Sequence, residues 1–292
     1  MLYRDFATQE ELDAQYNLRM IFPDAASSYE AFCARESERA REDLDHQLNV
    51  PFGPTREEHS DVYSARDDAR GAPILIYVHG GFWALRTSKE FGFVARGPVS
   101  EGVTTVVTNY ALCPTVTIDE IVRQTRAAVA WTYRNAERVG GDPERMHVAG
   151  HSAGGHLVAM LLATDWEGDY GLPADTIKGA TAISGLFDLT PFPYTFLQPK
   201  LQLTWDQVWR NSPILHLPDP QGGAPPLLVA YGEDETDEFR RHSEMFFGAW
   251  KANGLDGELL VLSGKNHYDV IDGFLDAGSP LCSAVLGPVR LE

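Results

Sequence analysis

From residue 73 the chain repeats one pattern: a short continuous apolar run, closed by a small or polar residue, then a longer stretch of helical texture. The runs are PILIYVHG (73–80), TTVVTNY (104–110), MHVAGHS (146–152), GATAISG (179–185), PLLVAYG (226–232) and GELLVLSG (257–264). Apolar residues at consecutive positions describe strands buried on both faces. Helices are expected between them, over about 118–139, 153–164 and 237–253. This alternation predicts an α/β fold with a mostly parallel central sheet flanked by helices. Right-handed crossovers then gather the C-terminal strand ends along one edge, where sites collect.

Two stretches fall outside this rhythm. Residues 8–46 read as an acidic helical arm, with a cap signal at Ser27 or Ser28 and with Tyr29, Phe32 and Cys33 on one face. The arm can cover part of a site or simply pack on the core. Residues 186–224 are rich in Pro, Phe, Leu and Trp and are too long for a plain connection. A cap-like insertion that walls a pocket is expected there. No linker or repeat divides the chain, so residues 1–292 are expected to form one domain.

Composition narrows the function. The chain has 292 residues, 43% hydrophobic and 23% charged, with a formal net charge of −18. An acidic surface repels phosphate backbones and anionic lipid, which argues against nucleic acid and membrane as partners. The three cysteines are widely spaced, without a disulfide or zinc pattern. The N-terminus lacks the apolar core of a signal peptide, and no run of 18 apolar residues occurs. A cytoplasmic protein is expected, with a homodimer as an open possibility.

Candidate chemistry sits at the ends of the apolar runs. In VAGHSAGGHL, Ser152 joins a strand to a small-residue helix, with Gly150 and Gly154 two positions away on either side. A nucleophile elbow needs this arrangement, because its strained turn leaves no room for larger neighbours. The N–H of Ala153 opens the helix and can meet an oxyanion. His151 and His156 are the nearest histidines, yet strand alternation turns His151 away and His156 is expected to pack under the elbow. HGGFW (79–83) closes an early strand. Its glycines let the N–H groups of Gly81 and Phe82 approach a substrate oxygen, while Phe82 and Trp83 are expected to line the substrate. Phe187, Phe192 and Tyr194 are further candidates for an aromatic wall, and His79 for an organiser of the loop. After PLLVA, four carboxylates compete to orient a catalytic histidine: Glu233, Asp234, Glu235 and Asp237. His267, on a loop after the last strand, has the position and chain order of a base, whereas His242 reads as a surface residue of a helix.

Together these motifs resemble the α/β-hydrolase superfamily, and more closely its branch of kynurenine formamidases (arylformamidases) and related carboxylesterases. The likeness also runs through NYALCP (109–114), GLFDLTPF (185–192), EFRRHS (238–243) and NHYDVI (266–271). It implies a catalytic triad of Ser152, Glu235 and His267, with Asp234 and Asp237 in reserve because aspartate is the branch's more usual acid. It further implies an oxyanion hole from Gly81, Phe82 and Ala153, and hydrolysis of a small ester or amide without metal or organic cofactor. N-formylkynurenine is one candidate substrate. A carboxylic ester or another amide or carbamate is the alternative, and a catalytically silent ligand-binding fold a remote one.

Overall fold

Residues 1–65 and 71–291 are described by a computed structural model of the chain. Eight strands form one sheet: β1 (His46–Pro51), β2 (His59–Tyr63), β3 (Ala72–Val78), β4 (Thr104–Thr108), β5 (Gly141–His151), β6 (Gly179–Ile183), β7 (Leu227–Gly232) and β8 (Gly257–Leu262). Their spatial order is β1-β2-β4-β3-β5-β6-β7-β8. From β4 through β8 every pairing is parallel, while β1–β2 and β2–β4 are antiparallel. This mostly parallel sheet, flanked by helices, is the arrangement that the strand pattern predicts, and it fits the α/β-hydrolase fold that the resemblance implies.

The six apolar runs became β3 to β8, but β8 is not buried on both faces as expected: it ends the sheet, with Leu259 and Val261 exposed. The two antiparallel strands carry no such signal. HQLNVP lies exposed along the sheet edge, and HSDVY is too short and polar to read as a strand. Polar groups of β2 are buried because they are paired: Asp61 accepts hydrogen bonds from Asn49 N–H at 2.9 Å and Ser88 Oγ at 3.2 Å, and faces Lys89.

The N-terminal arm is helical: α1 (Gln9–Tyr16), α2 (Leu18–Ile21) and α3 (Pro23–Asp43). Thr8 and Glu11 form a reciprocal capping box on α1. The cap expected at Ser27 or Ser28 is corrected: α3 begins at Pro23, whose fixed φ suits a first helical turn. Ser28 lies inside the helix and donates to the Asp24 carbonyl at 2.6 Å.

The remaining helices are α4 (Arg96–Ser100), α5 (Ile118–Arg134), α6 (Ala153–Leu162), α7 (Trp166–Tyr170), α8 (Gln198–Leu201), α9 (Trp205–Arg210), α10 (Asp237–Ala252) and α11 (Pro280–Leu291). All ten residues of α6 are buried, so this apolar helix is a core element beneath the site. The segment 186–224 is built of short turns around α8 and α9. Asp119 of α5 anchors it, accepting from Arg210 Nε at 2.6 Å and from Asn211 Nδ2 at 2.8 Å. Hydrogen bonds from Arg210, Asn211 and Gln207 hold the Asp119 carboxyl down to about 2. Among the described residues, no single helix is long and apolar enough to cross a membrane.

Candidate active site

Sheet order creates the site. β4 lies on one side of β3 and β5 on the other, so the chain reverses direction across the sheet at β3. Clefts in open α/β sheets form at such switch points, beyond the strand C-termini. Register then decides which loops meet: Val78 of β3 pairs with Gly150 of β5, so HGGFW and the Ser152 turn emerge side by side.

Ser152 has φ 58° and ψ −119°, a left-handed conformation that non-glycine residues rarely adopt. Its N–H donates to Ile183 O at 2.8 Å, which holds the turn against β6. A Cβ on Gly154 would stand 1.9 Å from the Val78 carbonyl oxygen, and one on Gly150 would stand 2.4 Å from that of Gly154. The two glycines therefore permit α6 to start directly against β3. Ala153, fully buried, heads the helix, where an N–H has no intrahelical acceptor.

The loop after β3 is equally tight. Gly81, Phe82 and Trp83 have φ of 118°, 50° and 57°, three left-handed residues in succession. NYALCP braces them. Tyr110 Oη donates to His79 O at 2.8 Å, and Cys113 N–H donates to Trp83 O at 2.8 Å. His79 stacks on Tyr110 with ring centroids 4.2 Å apart, and burial pushes its imidazole down to about 4. A neutral, clamped His79 organises the loop.

His267 follows β8 and Glu235 follows β7. The His267 Nδ1 lies 2.8 Å from Glu235 Oε2, and both side chains are buried. The other carboxylate oxygen, Oε1, accepts from Gly232 N–H at 2.8 Å and from Ser184 Oγ at 2.5 Å. Both oxygens are thus satisfied, as a buried carboxylate requires. Glu233 and Asp234 are exposed, and Asp237 is exposed and paired with Arg240, so none of the three reaches His267. Ser184 is absent from the sequence-based candidates. A serine ending an apolar run carries no sign of the carboxylate that the sheet brings to it from β7.

Two histidine expectations need revision, those for His151 and His242, while His156 is buried as expected. His151 does not turn away: its ring lies 4.6 Å from that of His267 and borders the same cavity. Burial, then the neighbouring His267, push its imidazole well below the usual range. His156 accepts from Trp83 Nε1 at 3.1 Å and therefore carries its own proton on Nε2, which donates to Asn211 O at 2.7 Å. His242 is fully buried, not on the surface. Its Nδ1 accepts from Phe187 N–H at 3.1 Å, and its Nε2 lies 2.9 Å from Tyr16 Oη, which donates to Glu238 at 2.8 Å. That network fixes α1 against α10, whose Phe239 ring sits 4.1 Å from His267.

Ser152, His151 and His267 border a cavity of about 120 Å³ together with Gly80, Gly81 and Phe82. Both segments outside the strand rhythm wall it. The arm contributes Leu18, Arg19 and Tyr29, and the 186–224 segment contributes Phe196 and Leu197. Asp13 of α1 accepts from Phe196 N–H at 2.8 Å, joining the two walls. Trp83 does not line the cavity. It is fully buried, edge-on to His156 and Phe192, so its expected contact with substrate is corrected. Phe187 is likewise stacked on Phe246 at 4.1 Å, and Phe192 and Tyr194 lie elsewhere. The aromatic wall is instead Phe82, Phe91, Phe196, Tyr29 and Tyr268. Among the described residues, no group of three or more His, Cys, Asp or Glu side chains is placed to hold a metal ion.

Comparison with known proteins gives a consistent picture. The BD-FAE family model matches residues 60–192. The kynurenine formamidase of Salmo salar is 32% identical over 276 residues, covering 94% of this chain and 92% of that protein. The kynurenine formamidase of Danio rerio is 30% identical over 286 residues, covering 96% of each. A solved protein from Silicibacter sp. superposes with a TM-score of 0.79 at 28% identity, covering 94% of this chain and 98% of that one. A thermostable carboxylesterase from a metagenomic library gives a TM-score of 0.73 at 21% identity, covering 98% and 97%.

Proposed function

Because the chain belongs to the kynurenine formamidase family of α/β-hydrolases, we propose that it is a serine hydrolase cleaving an aryl formamide of the N-formylkynurenine type through an acyl-enzyme. The observation that carries the reading is the buried His267–Glu235 pair at 2.8 Å, beside a serine held in strained backbone geometry. His267 takes the Ser152 proton as Oγ bonds to the formyl carbon. The N–H groups of Gly81, Phe82 and Ala153 hold the oxyanion. Glu235 keeps the His267 proton on Nδ1 and stabilises the imidazolium. The C–N bond then breaks, and His267 gives its proton to the departing arylamine. A water, deprotonated by His267, releases formate and restores Ser152. The apolar, aromatic-walled cavity suits an aryl leaving group. A reducing cytoplasm suits Cys33 and Cys113, which are buried thiols outside any disulfide.

A serine-directed fluorophosphonate is expected to label the protein and to fail on Ser152→Ala, with the variant's melting temperature unchanged. Turnover of N-formylkynurenine is expected to vanish in the same variant. Full activity of Ser152→Ala would end the serine mechanism, and a large preference for short-chain aryl esters would end the formamidase assignment.

A further inference from the structure

His267 has two rings packed against it. Phe239 of α10 lies 4.1 Å away between ring centroids, and His151, which ends β5, lies 4.6 Å away and tilted by 39°. Packing accounts for Phe239, which is fully buried and also meets Tyr16 and Phe82. It does not account for His151. That side chain is buried, with 6% of its surface exposed, yet its Nε2 finds no hydrogen-bond partner. A buried polar atom without a partner destabilises a fold, and an apolar ring in the same place would avoid the loss.

The loops bring the two imidazoles together. A Cβ on Gly232 would stand 2.2 Å from the Lys265 carbonyl oxygen, so the loop that carries His267 crosses directly over the end of β7. A Cβ on Gly80 would stand 2.8 Å from the His151 carbonyl oxygen and 3.4 Å from its Nδ1, so the loop after β3 meets His151 with no side chain between them. Ionisable side chains reach His267 from three places: His151 at the end of β5, Glu235 after β7, and Tyr268 next in the chain, with its ring 6.5 Å away. Glu235 is the anion among them and holds Nδ1 of His267. His151 is uncharged, because burial, then the charge of His267, push its imidazole well below the usual range. A hydrogen bond from its ring to the His267 backbone works the other way, as an N–H shared with a carbonyl does. Since Nε2 is the unpartnered nitrogen, Nδ1 carries the proton and Nε2 keeps a lone pair.

We propose that His151 assists catalysis through His267: its uncharged ring, with an Nε2 lone pair committed to no donor, stabilises the imidazolium that forms when His267 takes the Ser152 proton. This rests on the serine-hydrolase reading above and adds a residue to it. An atom unpaired in the resting enzyme, and faced by a positive charge in the transition state, lowers the barrier without strengthening substrate binding. The fold bears the unpaired atom, and the rate benefits from it.

The test begins with His151→Phe, which keeps a ring and removes both nitrogens. It is expected to lower kcat by about tenfold with KM within about twofold, equally for an aryl formamide and an aryl ester. The imidazolium is then less stable, so the acidic limb of the kcat profile should move to lower pH. The variant should melt no earlier than wild type, because an unpaired polar atom is gone. His151→Gln, which returns an acceptor oxygen without the ring, should recover part of kcat. Nitrogen-15 NMR reads the same interaction without turnover. His267 should titrate at lower pH in His151→Phe than in wild type, and Nε2 of His151 in the wild-type protein should stay unprotonated throughout. A kcat within twofold of wild type would overturn the proposal. So would a lower kcat with earlier melting and an unmoved acidic limb, which would make His151 a packing residue. A loss confined to one substrate would place His151 on the substrate and overturn it as well, as would protonation of His151 together with His267 in the wild-type protein. The NMR shift in a protein that hydrolyses neither substrate would sustain the coupling of the two rings and remove the hydrolase reading.

Discussion

Gly154→Ala sets two magnitudes against each other. Alanine in place of glycine near the start of a helix gains up to about 1 kcal/mol from backbone entropy. Against this, the new Cβ would lie 1.9 Å from the Val78 carbonyl oxygen, 2.7 Å from its carbon and 2.8 Å from the His79 oxygen. Ordinary contact begins at 3.4 Å, so α6 and β3 must separate by about 1.5 Å. All three obstructing atoms are backbone, and no rotamer change relieves them. Overpacking of this kind costs about 1–3 kcal/mol, so the clash outweighs the helix gain. The catalytic consequence is larger. Ala153 lies on one side of the forced gap and Gly81 and Phe82 on the other, so the N–H groups proposed to hold the oxyanion move apart. A misplacement of about 1 Å can cost about 100-fold in rate. Gly248→Ala in α10 is the control, since its Cβ meets nothing within 4 Å. The assay is kcat/KM with the melting temperature for both variants. Gly154→Ala is expected to lose at least about 100-fold in kcat/KM and to melt earlier, while Gly248→Ala keeps its activity and melts slightly later. A Gly154→Ala enzyme within twofold of wild type would refute the assignment of donors to both sides of that contact.

Three further outcomes follow from the same geometry. Ser184→Ala removes one of the three hydrogen bonds to Glu235, a charge-assisted bond of about 1.5–3 kcal/mol, and is expected to lower kcat about tenfold or more with KM little changed. A change confined to KM, measured by steady-state kinetics, would contradict that role. Trp83→Phe strips His156 Nδ1 of its donor and is expected to destabilise the fold by about 1–3 kcal/mol without raising KM, checked by denaturant unfolding and kinetics together. Asp272 has a buried, unpartnered Oδ1, and burial first of all raises its carboxyl from 3.8 to about 7. The folded state therefore holds a proton that the unfolded chain releases near pH 4, and stability falls as pH rises through that window and levels off above about 7. Asp272→Asn should melt later than wild type at pH 8 but not at pH 4; an equal difference at both would exclude the linkage.

Sequence alone determined the elements that obey a local rule. Continuous apolar runs marked β3 to β8; in β3 to β7 the reason is that a strand covered on both faces has no polar positions to spare, while β8, at the sheet edge, leaves Leu259 and Val261 exposed. The glycines around Ser152 marked the elbow, because its backbone tolerates nothing larger at Gly150 and Gly154. Chain order and strand ends singled out His267. The acid took the family resemblance to choose, and the fold then set Glu235 alone beside His267 among four carboxylates within five residues. Tertiary structure decided whatever depends on partners distant in the chain. Residues β1 and β2 became strands because a neighbouring edge, not their own periodicity, offered hydrogen bonds. Ser184 reached Glu235 because β6 and β7 are adjacent. His242 went inside because Tyr16, 226 residues away, faces its ring nitrogen. Trp83 withdrew from the substrate because three left-handed residues turned it into the core, where His156 accepts its indole N–H. A side chain's type states which bonds it can make, but only the folded sheet determines which groups stand close enough to make them.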